Sequence, residues 1–193
     1  MTALATVYGV YVYSLSLNLY DYLPEDPIFD CFRSMPNLHD LKFLTFPRFQ
    51  FLADLPFRLR SLDIFINRPS EPLKQFLASQ SQITTLRLDG ISYEPDVIQP
   101  DEYTTYLPQL ETLYCTKHVL AAFFLGRGIR RLKLFLESSH GWWETLPVSE
   151  FQSLVELNAY NIPHGTKLAS LFPNLQYLFF WEVSDLILAE TQN

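Results

Sequence analysis

Ile83-Thr84-Thr85-Leu86-Arg87-Leu88 is the stretch that decides the architecture. Its last two apolar residues stand two apart, so both point to one side of a short strand while Thr85, Arg87 and Asp89 point to the other. Ile83, the first apolar residue, anchors the chain as it enters that strand. The same pattern returns, with substitutions, at Val12–Leu17, Leu38–Phe43, Leu59–Ile64, Leu110–Cys115, Ile129–Leu134, Leu154–Ala159 and Leu175–Phe180. Successive copies begin 19 to 27 residues apart, at 12, 38, 59, 83, 110, 129, 154 and 175.

A unit of that size cannot bury its own apolar face; stacking neighbours in register turns many such faces into one continuous core. The return segments read as short helices or irregular turns. Asp26–Met35 and Ser70–Ala78 each open with an acid and a proline, as helix first turns do. Lys117–Leu125 runs into Gly126 and Gly128, a helix stop, and Gly165–Phe172 runs into Pro173. The 13 prolines fall around these pieces and in connections, not inside the proposed strands. A period of 20 to 29 residues with this motif is that of leucine-rich repeats. The expected fold is therefore α/β: a leucine-rich-repeat solenoid, a right-handed β/α horseshoe of about eight irregular repeats, with a parallel sheet on the concave face. The competing architecture is an ordinary α/β domain, whose βαβ units are longer, at roughly 30 residues. A single domain is expected over 1–193, with an irregular N-terminal cap at 1–11, repeats at 12–181 and a C-terminal cap at 182–193. In that last cap Ser184 would cap a short amphipathic helix and Asp185 would sit in its first turn.

The repeat gives meaning to the composition. The 193 residues include 33 leucines and 16 phenylalanines, and some rings, such as Phe43 and Phe180, replace leucine in the ladder. An apolar share of 48% rules out global disorder, and no apolar run is long enough to cross a bilayer. The net charge of −7 lacks the concentrated basic face that nucleic acid requires. The one basic knot, Arg127, Arg130, Arg131 and Lys133, reads as a solvated edge around a helix-to-strand turn. Cys31 and Cys115 make no disulfide framework, no N-glycosylation sequon occurs, and the first 20 residues make a poor signal peptide. A cytoplasmic or nuclear monomer is expected.

Three phrases, Met35-Pro-Asn-Leu-His-Asp-Leu41, Leu107-Pro-Gln-Leu-Glu-Thr-Leu113 and Phe172-Pro-Asn-Leu-Gln-Tyr-Leu178, carry a resemblance. With them the chain resembles irregular leucine-rich-repeat proteins, especially the repeat region of the fungal F-box type, over residues 12 to 181. The resemblance implies a protein-binding role, with the repeats selecting substrates for a ubiquitin ligase where an F-box is present. No F-box is expected in this chain, which opens almost inside a repeat. The asparagine or cysteine usual three positions past the last ladder residue is mostly replaced; only Asn67 keeps it. The backbone hydrogen bonds of such a ladder must then be met otherwise.

In this fold the outward strand residues are the usual binding surface. Early strands present small and charged groups there. Late strands present aromatics, and Tyr114, Phe135, Tyr160, Tyr177, Phe179 and Trp181 are the candidate partner-binding residues. Clustered exposed aromatics are costly unless covered and dominate interaction hot spots. The alternative is that the last strand packs under the C-terminal segment, making Phe179 and Trp181 plain core. The loop at 137–147, with Trp142 and Trp143, is a second place where function could reside, although paired tryptophans more often fill core space. No catalytic motif, phosphate loop or zinc spacing occurs; Cys115 and His118 have no second pair, and His39, His140 and His164 lie in separate repeats. The expectation is a non-enzymatic module without cofactor or metal that binds an unidentified protein. The alternatives are a structural fragment of a longer array and, less favoured, a small-molecule or enzymatic role near Trp142 and Trp143.

Overall fold

The computed structural model describes residues 9–17, 30–43, 55–65, 71–89, 106–135, 143, 146–159 and 165–180, without the side chains of 117, 118, 121 and 165–167. Each of the eight expected repeats forms its strand. They are β1 (Ser14–Leu17), β2 (Asp40–Phe43), β3 (Ser61–Phe65), β4 (Thr85–Asp89), β5 (Thr112–Cys115), β6 (Arg131–Leu134), β7 (Glu156–Ala159) and β8 (Tyr177–Phe180). Three α-helices are described: α1 (Glu71–Ser79), α2 (Lys117–Phe124) and α3 (Gly165–Leu171). A helical turn stands at residues 30–33. A 3-10 helix at Val148–Ser153, which the sequence reading did not anticipate, takes the place of an α-helix before β7. None of the described helices is long and apolar enough to span a membrane.

Chain contacts divide the protein into two compact units, one of residues 1–94 with 105–110, the other of 95–104 with 111–193. The first holds β1 to β4 and the second β5 to β8. In each, neighbouring strands follow chain order and pair in parallel. Registers align the ladder residues: Leu15, Leu41, Leu62 and Leu86 form one row, and Leu113, Leu132, Leu157 and Leu178 another. Each unit is thus a leucine-rich-repeat solenoid of the α/β class. Of the expected caps, Gly9–Tyr11 forms a 3-10 turn, while 1–8 and 182–193 lie outside the described residues.

Neighbouring repeats are joined by a recurring main-chain arrangement. The carbonyl just before a strand accepts two amides from the next repeat. Tyr13 O accepts from His39 and Asp40, His39 O from Arg60 and Ser61, and Arg60 O from Thr84 and Thr85. In the second unit Glu111 O accepts from Arg130 and Arg131, Arg130 O from Val155 and Glu156, and Val155 O from Gln176 and Tyr177, all between 2.7 and 3.1 Å.

The turn that feeds each strand explains the proline phrases. The amide of Leu38 closes onto Met35 O, that of Leu110 onto Leu107 O and that of Leu175 onto Phe172 O. Pro36, Pro108 and Pro173 therefore occupy the second position of a four-residue turn, where their fixed φ is already correct. The third residue of the turn can reach the preceding repeat. Asn37 Nδ2 donates to Val10 O at 2.7 Å, Asn174 Nδ2 to Gln152 O at 2.6 Å, and Ser153 Oγ to Ile129 O at 2.9 Å. Gln80, wholly buried, accepts from the amide of Leu59 at 2.9 Å and lies within 3.5 Å of Phe57 O. These side chains satisfy backbone groups around the entries to the strands; the positions three past each strand, apart from the main chain of His118, lie outside the described residues.

Behind the sheet lies a phenylalanine column the ladder pattern does not disclose. Phe32 packs edge-on against Phe43 and Phe57, with ring centroids 6.2 and 5.9 Å apart. In the second unit Phe151 stands between Phe124 at 5.6 Å and Phe172 at 4.9 Å. Offset and edge-to-face rings at these distances favour packing beyond the area they bury. A large part of the aromatic excess therefore serves as core on the return side. Leu15, Leu17 and Leu178 of the ladder are only half-buried, and one position departs further. Phe43 is 2% exposed, whereas Phe180 is 43% exposed. Its register partner is Ala159.

Candidate functional site

The open face of the sheet in each unit is built by the strand residues that alternate with the ladder residues and point away from the core. In the first unit this face is charged and largely self-paired. Lys42, Asp63 and Arg87 share one row across β2 to β4. Lys42 Nζ lies 2.9 Å from Asp63 Oδ2, Arg87 Nε 3.6 Å from Asp63 Oδ1, and Arg87 Nη2 3.5 Å from Asp89 Oδ2. Asp63 is the pivot, less exposed than either cation it serves. Partly exposed pairs of this kind contribute at most about 1 kcal/mol each, and as a row they fix side-chain positions more than they stabilise the fold.

The second unit presents a different face. Its rows run Thr112, Arg131, Glu156, Tyr177 and then Tyr114, Lys133, Asn158, Phe179. Arg131 Nε pairs with Glu156 at 3.5 Å. Thr112 belongs to this face by alternation yet is buried. Tyr114 is half-buried, as is Phe135, just past the end of β6. Tyr177 and Phe179 are 55% and 50% exposed. Tyr114 and Phe179 lie in the same row, three strands apart, a span of about 14 Å at the usual strand spacing. Tyr160 and Trp181, the other two candidates, lie outside the described residues.

The basic knot of the sequence separates into four different environments. Arg127 is buried, donates to Ala122 O at 3.1 Å and stands 5.9 Å from the ring of Phe123; burial lowers its pKa to about 10. It remains charged at neutral pH but is turned inward. Arg130 and Arg131 are exposed, Arg131 with its carboxylate partner. Lys133 is half-buried and has no ion-pair partner among the described residues. This isolation is what spacing along the chain does not convey, because pairing is set by neighbouring strands.

Other candidates resolve into structure. Cys115 is fully buried in the ladder, and burial pushes its thiol pKa well above the ordinary value. The side chain of His118, and His140 and His164 altogether, lie outside the described residues; His39 packs its ring 6.0 Å from Tyr13. No group of three metal-binding side chains occurs among the described residues. Trp143 is half-buried, and Trp142 is outside the described residues. An open cleft of about 640 Å³ lies elsewhere, where the turns enter β6, β7 and β8, lined by Arg130, Gln152, Ser153, Asn174 and Gln176 among others. Of these side chains Ser153 and Asn174 are spent on holding one repeat to the next.

No protein-family model matches the sequence, and no curated protein matches it. Among solved structures the chain is similar to an internalin from Listeria monocytogenes, with 11% identity and a TM-score of 0.40. The superposition covers 92% of this chain and 64% of that one, so the chain spans less than two thirds of the internalin's length.

Proposed function

We propose that this protein is a non-enzymatic interaction module that binds another protein through the concave face of its repeats. The observation that carries the reading is the exposed pair Tyr177 and Phe179 in the rows that also hold Tyr114 and Lys133. Large rings held on rigid strands lose little entropy on binding and are the residue types most often found at interaction hot spots. Phe135, Tyr160 and Trp181 would extend the same surface. By the resemblance to the fungal F-box type, such a surface would select substrates for ubiquitination in the cytoplasm or nucleus. The second reading, a structural part of a longer array, draws on the exposure of Phe180 on the opposite face of β8, where a further repeat would pack.

Replacing Tyr160 and Tyr177 together by alanine separates the two. The interaction reading expects a melting temperature within about 2 °C of wild type, as for surface changes generally, and loss of partner capture. A drop of several degrees means that these rings are core, and unchanged capture means that the partner binds elsewhere.

A further inference from the structure

We infer that the open face of the second unit selects an acidic segment of its protein partner, seating one carboxylate on Lys133 between Tyr114 and Asn158. The inference rests on the interaction reading above and adds to it the chemistry of the partner.

The argument is one of charge left over. On the first unit's open face both ladder-row cations are spent: Lys42 on Asp63, and Arg87 on Asp63 and Asp89. On the second unit's open face Arg131 is spent on Glu156. Lys133 stands one strand away from each of Tyr114 and Asn158, and among the described residues no acid is within ion-pair reach of it. It is half-buried on a rigid strand. A cation already partly desolvated gains more from a carboxylate than one in open water does, since the water it would otherwise keep has in part been removed. The aromatic rings supply the apolar part of the site, with Phe179 two strands beyond Lys133, about 10 Å at normal strand spacing. A complementary segment thus carries an Asp or Glu with an apolar side chain two to four residues away. A polyanion is a poor fit: the chain carries a net −7, and a single uncompensated lysine neutralises one phosphate, not a row of them.

The test uses the full chain and a random 12-residue peptide display library. Wild type is expected to enrich sequences pairing an acid with a nearby apolar residue. The leading peptide should bind at least fivefold more tightly than its Glu→Gln or Asp→Asn counterpart at low salt, with the gap closing at high salt. Lys133→Glu should reverse that preference and Lys133→Met should remove it, each with an unchanged circular dichroism spectrum and melting temperature. Equal binding of the acidic and amide peptides overturns the inference, as does an unaltered preference in Lys133→Glu. Charge-blind enrichment that Tyr177→Ala abolishes leaves the interaction reading standing and removes only the acidic selection. Enrichment no greater than on bare beads overturns both.

Discussion

Cys115 occupies a ladder position where a thiol can be tolerated but its anion cannot. It lies in register with Leu134 and is fully buried, and burial holds its pKa far above that of an exposed thiol. The sign of the linkage follows. Above about pH 9 the unfolded chain gives up this proton and the folded chain keeps it, so stability is retained below that pH and lost as pH rises through the unfolded value. We expect unfolding free energy to fall by up to about 1.4 kcal/mol per pH unit between pH 9 and 10.5 from this group alone. Urea titrations of wild type and Cys115→Ala should differ in that slope; parallel curves would mean that the thiol ionises in the fold. The core role of Cys115 is legible in the sequence, because its position in the motif assigns it a face. The isolation of Lys133 is not. Nor is the exposure of Phe180.

At the scale of the element, the strand-entry turn has more to do than its length suggests. A proline presets the bend, the next residue reaches back to the preceding repeat, and the leucine after it enters the core. Asn174 shows this best, with a 2.6 Å bond to Gln152 O. Asn174→Ala should cost about 1 kcal/mol, the net worth of one such hydrogen bond, read as a shift in the urea midpoint without a change in slope. A loss below about 0.3 kcal/mol would mean that water replaces the amide without penalty. The three Pro-containing phrases announce these turns in the sequence. The same turns at Gln80–Ile83 and Phe151–Leu154 lack proline and were not foreseen. The phenylalanine column was missed for a related reason. Phe151 and Phe172 each stand three residues before the ladder, but Phe32, Phe57 and Phe124 stand at other distances from it, so only the packing of the return segments brings the rings of each unit together.

Over the whole chain, eight strands in eight expected places show that a repeating pattern carries far more information than any one copy of it. The proposed partner-binding surface is less legible: alternation assigns residues to the open face, but exposure and charge pairing depend on neighbours in other repeats. The doubly accepting carbonyl before β1, β2, β3, β5, β6 and β7 has a consequence for how such a chain tolerates change. Across the junctions where it occurs, the donors lie from 19 to 27 residues downstream of the acceptor, yet the two amides arrive in the same way. Alignment is settled at one point per repeat, and the remaining length is free to vary, much as pages of unequal width can share one spine. Two glycines inserted after Phe135 should therefore cost little, about 1 kcal/mol or less given the weak dependence of closure entropy on loop length. One glycine inserted between Arg130 and Arg131 should unfold the second unit by moving every later side chain of β6 to the wrong face. Thermal melts of the two insertions, compared with wild type, measure the contrast, and equal losses would refute it. Insertions and deletions between relatives of this protein should by the same logic collect on the return path, leaving the open face in step while repeat lengths drift.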